Sequence, residues 1–123
     1  MAGTYSDIVE IVAPASAIAG STVNVAVKIK NSWPDNLHVY CVAVLDSEER
    51  FINWREAWVG PAETRSFYGA FVMPEKEVRI NAYSYFEGDD GYLYLDDSKS
   101  KDVRLAELAP QVSQFSIVDY VKV

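Results

Sequence analysis

Hydrophobic and polar positions alternate along much of this chain with a period of two residues. In the clearest stretch, residues 22–30, four β-branched side chains share one face: Val23, Val25, Val27 and Ile29. Such alternation is typical of a strand with one buried and one solvated side. Since no segment sustains the three-and-four spacing of an amphipathic helix, the pattern predicts an all-β protein.

The same alternation predicts a series of strands separated by turn sequences rich in Gly, Pro, Asn and Asp. They cover residues 6–13, 22–30, 37–46, 50–59, 64–73, 77–87 and 92–96 running on to 105, with an extra strand at 115–122. Residues 88–91, Gly-Asp-Asp-Gly, supply the positive-φ positions of a tight hairpin. About seven short antiparallel strands at this spacing are typical of an immunoglobulin-like β-sandwich. We therefore predict such a sandwich in residues 1–108 and a C-terminal extension strand in residues 109–123.

Length and charge narrow the possible functions. At 123 residues, half of them apolar, the chain matches one ordinary globular domain. Its formal net charge of -7, without a cluster of Lys and Arg, disfavours binding to nucleic acid or to an anionic membrane. The longest apolar run, residues 39–45, is too short for membrane insertion. Because residues 1–7 lack the features of a secretory signal, we expect assembly in the cytoplasm, for example into a virion, in preference to secretion.

Short turn motifs within residues 8–105 are similar to those of a known family. The segment 19–25 (Ala-Gly-Ser-Thr-Val-Asn-Val) leads into the second predicted strand, and the segment 60–64 (Gly-Pro-Ala-Glu-Thr) forms a later turn. With Ala13-Pro14 and Lys30-Asn31, they resemble the bacterial and archaeal immunoglobulin-like repeats typified by the cell-adhesion-related (CARDB) domain. The chain departs from the family pattern at residues 32–34, where a Gly is usual, and in the Gly-Pro order of residues 60–61. The resemblance implies the fold; it does not select among the adhesins, enzyme appendages and virion surfaces that use such domains.

Residues suited to catalysis are few. His38, the only histidine, begins a predicted strand, and Cys41, the only cysteine, lies in the middle of the same strand. No nucleophile or phosphate-binding motif surrounds them, so a satisfied strand histidine and a small core side chain are the favoured interpretations. We therefore predict that the chain is not an enzyme and needs no cofactor.

Acidic residues gather around the predicted hairpin: Glu87, Asp89, Asp90, Asp96 and Asp97. Carboxylates of this kind could ligate calcium, but their spacing does not match the Asp-x-Asp-x-Asp-Gly loop. A solvated turn with a charged strand edge is the favoured interpretation, and we predict no metal site.

Tyrosines give the strongest indication of a binding surface. Alternation places Tyr83 and Tyr85 on the outer face of their strand. Across the hairpin, it places Leu93 and Leu95 in the core, so that the tyrosines between them point outward. We predict a partner-binding patch formed by Tyr40, Val42, Tyr83, Tyr85, Tyr92 and Tyr94. The alternative is ordinary cross-strand tyrosine pairing on a solvated sheet.

The three tryptophans fall into two groups. Trp54 and Trp58 share an alternation face with Ile52, so we expect at least one of them to be the buried tryptophan that anchors many sandwiches. Trp33 follows the second predicted strand in a turn, and we expect it to be exposed.

The C-terminal segment repeats a pattern from the first strand. Residues 117–121 match residues 8–12 in side-chain type at all five positions. A strand with apolar groups on both faces is costly to leave in water, so we predict that it pairs between subunits and gives an oligomer. The residues of this strand-exchange contact are Ile117, Val118, Tyr120 and Val121. A tandem array of domains and a chance match are the alternatives.

These features predict a non-catalytic structural or adhesive module that docks on a larger protein assembly, such as a virion surface, a tail or a cell surface. Its partner would be another protein or a second copy of the chain. The alternative is a carbohydrate-binding module, in which Trp33 and the outward tyrosines stack on sugar rings, or a non-catalytic appendage of a larger secreted enzyme.

Overall fold

The structure, a computed structural model, describes residues 4–46 and 49–107. All regular elements in these ranges are strands. They are β1 (Ser6–Val12), β2 (Ser16–Ile18), β3 (Thr22–Asn31), β4 (Leu37–Leu45), β5 (Glu49–Val59), β6 (Thr64–Val72), β7 (Val78–Glu87) and β8 (Leu93–Ala106). Within these ranges the fold has no helix of the length and apolarity needed to cross a membrane.

The strands form two sheets that pack face to face. One sheet has three strands in the order β1-β3-β6, and the other has five in the order β2-β8-β7-β4-β5. Neighbouring strands are antiparallel except for β2, which runs parallel to β8. The predicted immunoglobulin-like β-sandwich is therefore confirmed. The predicted extension strand, including Ile117, Val118, Tyr120 and Val121, lies outside the described residues.

Alternation along the strands builds the core between the sheets. The apolar face of β3 is almost completely buried, as predicted, and it meets the inner faces of β4 and β7. The largest fully buried side chains include Ile29, Ile52, Met73 and Ile80. Seven predicted strands correspond to observed ones, whereas β2, with three residues, has too little sequence to show a period.

A bulge in β8 reverses its alternation next to the hairpin. Ser84 pairs with Asp97 but the next residue, Tyr85, pairs with Leu95, so Asp96 is an extra residue in β8. Directly paired residues point to the same face of a sheet, and one inserted residue exchanges the two faces. The prediction that Leu93 and Leu95 lie in the core is therefore wrong: both are exposed.

A second bulge, in β5, explains the missing buried tryptophan. Cys41 pairs with Arg55 and Ala43 pairs with Ile52, which leaves one residue of β4 opposite two residues of β5. Trp54, one of those two, adopts a positive φ of 51°. The bulge puts Ile52 inside but leaves Trp54 37% and Trp58 62% exposed. The expectation that one of these tryptophans anchors the core is wrong, because the bulge breaks the alternation that linked them to Ile52.

Two carboxylates next to the β8 bulge connect the sheets. Asp96 Oδ2 accepts hydrogen bonds from the backbone N–H groups of Tyr5, at 2.9 Å, and Ser6, at 2.6 Å. Asp97 Oδ2 accepts one from Ile8 N–H at 2.8 Å. Side chains thus satisfy the edge of β1 that another strand would otherwise pair with.

Candidate binding face and end cleft

Aromatic side chains cover much of the outer side of the five-stranded sheet. Tyr40 of β4 pairs directly with Tyr85 of β7, so both rings lie on the same side. The Trp54 ring contacts both, with centroids 4.8 Å from Tyr85 and 6.5 Å from Tyr40. We define the aromatic face by Tyr40, Trp54, Trp58, Tyr83 and Tyr85. The contacts among Tyr40, Trp54 and Tyr85 hold these three rings in place before any partner arrives.

The predicted tyrosine patch needs corrections at Val42 and Tyr94 and the addition of two tryptophans. Val42 lies on this side of the sheet but is only 5% exposed, so it supports the face and offers little surface to a partner. Tyr94 pairs with Phe86 and stacks on it at 5.7 Å, so the bulge has moved it to the opposite side from Tyr85. Tyr92 is exposed in the hairpin connection and precedes β8. The sequence prediction missed Trp54 and Trp58 as members of the face.

Carboxylates surround one end of the aromatic face. His38 Nδ1 lies 2.7 Å from Glu87 Oε1, and its Nε2 lies 2.7 Å from Glu56 Oε1. Both ring nitrogens can donate at once only when the imidazole is doubly protonated. The pKa of Tyr40 is raised by burial first and by the negative charges of Glu56 and Glu87 next. This end of the face therefore has a negative local potential.

His38 also orients the most exposed tryptophan. The His38 and Trp58 rings are stacked, with centroids 4.6 Å apart and an interplanar angle of 10°. Because Glu56 and Glu87 fix the imidazole from both sides, they fix the Trp58 ring as well. The predicted satisfied strand histidine is found, and it serves as a support for Trp58.

A cleft of about 410 Å³ opens at the end of the sandwich beside this stack. Its aromatic walls are Tyr5, Trp33, His38, Trp58 and Phe86, and its polar lining includes Asn36, Glu87 and Asp89. We call it the end cleft. It shares Trp58 and His38 with the carboxylate-rich end of the aromatic face, so the two form one continuous surface.

Buried Asn31 shapes the loop that carries Trp33. Its Nδ2 donates to the carbonyl oxygens of Asp35 and Val59, both at 2.8 Å, and its Oδ1 accepts the Trp33 N–H at 2.8 Å. The Trp33 ring then packs edge-on against Tyr5 at 4.7 Å. Trp33 is 41% exposed, which confirms the expected exposure.

The acidic residues near the hairpin have separate roles. Asp96 and Asp97 bond to β1, Glu87 bonds to His38, and Asp90 accepts a hydrogen bond from the Tyr94 hydroxyl that lowers the pKa of Asp90. Within residues 4–46 and 49–107, no group of three or more His, Cys, Asp or Glu side chains is arranged to hold a metal ion.

Cys41 and His38 lie on opposite faces of β4. Cys41 is completely buried, and burial raises the pKa of its thiol to about 12. A thiol in this state is a poor nucleophile, and no imidazole on its own face of the strand can deprotonate it. The arrangement is suited to binding through rings and carboxylates.

No protein-family model matches this chain, and no curated protein matches it in sequence. Solved structures do match in fold. The CARDB domain of the PF1109 protein from Pyrococcus furiosus, solved in complex with di-metal ions, superposes with a TM-score of 0.65 at 16% identity, over 86% of this chain and 93% of that chain. The chain has a CARDB-like immunoglobulin fold.

Two further structures share this CARDB-like fold. One is a chain of the complex between zinc 2-glycoprotein and prolactin inducible protein from human seminal plasma, with a TM-score of 0.62 at 14% identity, over 84% of this chain and 98% of that chain. The other is the alkylpurine DNA glycosylase AlkC from Pseudomonas fluorescens, with a TM-score of 0.52 at 10% identity, over 80% of this chain and 30% of that chain. At these identities the likeness describes the fold alone.

Proposed function

We propose that the chain is a non-catalytic binding module that docks on a partner protein through its aromatic face, as one part of a larger assembly. The observation that carries this proposal is the group of aromatic rings on the outer side of the five-stranded sheet, in which exposed Trp54 and Trp58 lie beside half-buried tyrosines. Clustered Trp and Tyr side chains supply a large contact area at low entropic cost and are common binding hot spots. A virion or cell-surface assembly, put together in the cytoplasm, is the setting we propose for it.

The two sides of the sandwich differ in a way that supports this choice. The outer side of the three-stranded sheet carries the ion pair of Lys28 with Glu10 and one exposed aromatic ring, Tyr68, beside the exposed aliphatic residues Val12 and Val72. A single exposed aromatic ring is ordinary on a protein surface, whereas a contiguous cluster marks an interaction site. The five-stranded sheet is therefore the docking side.

The test compares two variants of the immobilised domain. Trp54→Ala with Tyr85→Ala removes the centre of the aromatic face, and Tyr68→Ala removes a tyrosine that is 65% exposed on the other sheet. Proteins retained by the wild-type domain are identified by mass spectrometry, purified and measured again by calorimetry. Since loss of a hot spot commonly costs about 2 kcal/mol, the double variant should bind at least about 30-fold more weakly, and Tyr68→Ala should bind normally. Equal binding by both variants would refute the proposal.

Carbohydrate binding is the second candidate, because two exposed tryptophans, Trp33 and Trp58, line one cleft. Sugar rings stack well on such side chains. Titration of soluble polysaccharides against tryptophan fluorescence tests it. A saturable response that Trp33→Ala abolishes would favour a carbohydrate-binding module over a protein-docking one.

Self-association through residues 117–121 is a separate proposal. Backbone hydrogen bonds of Tyr5, Ser6 and Ile8 are already taken by carboxylates, so an added strand would find β1 partly blocked. The other edge strands of the described sheets are β2, β5 and β6, and we propose that one of these edges is the receptor. Deleting residues 112–123 should convert an oligomer to a folded monomer in light scattering. A full-length chain that is already monomeric at high concentration would contradict this proposal.

A further inference from the structure

The walls of the end cleft present π faces that the protein itself holds in position. Trp58 is stacked on His38 at 4.6 Å, while Tyr5 lies 4.5 Å from Phe86 and 4.7 Å from Trp33. Each ring is fixed by another ring, so a ligand need not order them. Aromatic faces carry partial negative charge and attract cations over their centres.

Carboxylates stand at the same opening. Glu87 and Asp89 line the end cleft, and no Lys or Arg of the described residues lines it. Glu87 is held by His38, whereas Asp89 has no hydrogen-bond or ion-pair partner within residues 4–46 and 49–107. The ion pairs of Lys28 with Glu10 and of Arg79 with Asp102 involve no residue of the cleft. The Asp89 carboxylate therefore adds negative charge at the cleft that no described side chain pairs with.

We propose that the end cleft binds a cationic side chain, Lys or Arg, of a basic partner protein. The inference rests on the proposed function, since it names the chemistry of the partner that meets this end of the aromatic face. A guanidinium or ammonium group would lie against Trp58 and Trp33 and face Asp89 and Glu87. The cleft volume of about 410 Å³ leaves enough room for one such side chain. A neutral sugar would use the rings but would leave the carboxylate charge without a counter-charge.

The test uses monovalent probes on the purified full-length chain. N-acetyl-argininamide and N-acetyl-lysinamide are titrated while the tryptophan indole N–H signals are followed by two-dimensional NMR. The signals of Trp33 and Trp58 should shift saturably, and that of Trp54, which does not line the cleft, should not. The neutral analogues N-acetyl-citrullinamide and N-acetyl-norleucinamide should give no saturable shift, and added salt should weaken binding of the cationic probes.

Two charge variants separate a local site from a general effect of net charge. Asp89→Asn removes a carboxylate of the cleft that has no described partner. Glu10→Gln removes a carboxylate from β1 that does not line the cleft. Asp89→Asn should weaken the cationic probes at least threefold, and Glu10→Gln should leave their affinity unchanged. Equal losses in both variants would overturn the proposal.

Other results would also overturn it. The cationic probes could give no saturable shift, the neutral analogues could bind equally well, or oligosaccharides could saturate the cleft when Arg and Lys probes do not. These outcomes are distinct from failure of the proposed function. The Trp54→Ala, Tyr85→Ala variant keeps every residue of the cleft, so it should still bind the probes even where it no longer binds the partner.

Discussion

Replacing Asp97 by Asn exchanges one buried carboxylate oxygen for an NH₂ group. It removes one negative charge with little change in the shape of the side chain. Asp97 is 4% exposed; its Oδ2 accepts the Ile8 N–H at 2.8 Å and its Oδ1 accepts the Ser98 N–H at 2.8 Å. Hydrogen bonds to an ionised group contribute about 1.5–3 kcal/mol each. An amide keeps one acceptor oxygen, so its NH₂ group must face one of the two N–H donors. We therefore expect Asp97→Asn to lower the free energy of unfolding by about 2–3 kcal/mol.

Urea unfolding followed by circular dichroism measures this loss. The slope of the free energy of unfolding against urea concentration should be the same in the variant and the wild type. Native-state hydrogen exchange gives a local check. In the variant, the Ile8 amide should exchange faster than the neighbouring β1 amides that are bonded to β3. The matched control is Asp102→Asn, which also removes one charge from β8 but breaks only an exposed ion pair with Arg79. If the two variants unfold at the same urea concentration, Asp97 is not the connection between the sheets that its geometry indicates.

Three further outcomes are expected. Gly69→Ala should cost about 1–3 kcal/mol, because its Cβ would lie 2.5 Å from Ile52 Cγ1 and 2.8 Å from the Phe51 carbonyl oxygen. Thermal melting measures this cost. The control is Gly60→Ala, where the atom nearest to the added Cβ is an oxygen of the flexible Glu63 carboxylate at 3.3 Å, and equal melting temperatures of the two variants would exclude the clash. With its pKa at about 12, the Cys41 thiol should resist iodoacetamide in the native protein and react only after unfolding, so rapid native alkylation would contradict its burial. The unfolded thiol ionises near pH 8.5 while the folded one stays protonated, so stability should fall as the pH rises above about 9, and Cys41→Ala should show a shallower fall.

The fold was predictable from the sequence because alternation and turn residues are local signals. Residues 22–30 show which face is buried without any knowledge of their neighbours, and the Asp90-Gly91 turn marks its hairpin in the same way. β2 was not predictable, because three residues that pair in parallel with β8 carry no period of their own.

The composition of the binding face was harder to predict than the fold. It depends on two single-residue bulges, at Asp96 and beside Trp54, and across each of them the alternation of inside and outside positions is reversed. When the alternation is continued through these positions without a break, it places Tyr94 on the same side of the sheet as Tyr85. It also groups Trp54 with buried Ile52, and both placements are wrong. The end cleft was also missed, since it depends on how the loop held by Asn31 brings Trp33 next to Tyr5. Long-range packing of this kind leaves no periodic signal in the sequence.

The Asp96 bulge has a consequence for how this surface can change during evolution. Deletion of one codon there would leave Leu95 opposite Tyr85 and Tyr94 opposite Phe86, because Asp96 is the one residue at this point of β8 without a partner in β7. The same deletion would remove the carboxylate that holds the backbone of Tyr5 and Ser6. A descendant without Asp96 would therefore keep the same residues on each side of the sheet but would need a new attachment for its first strand.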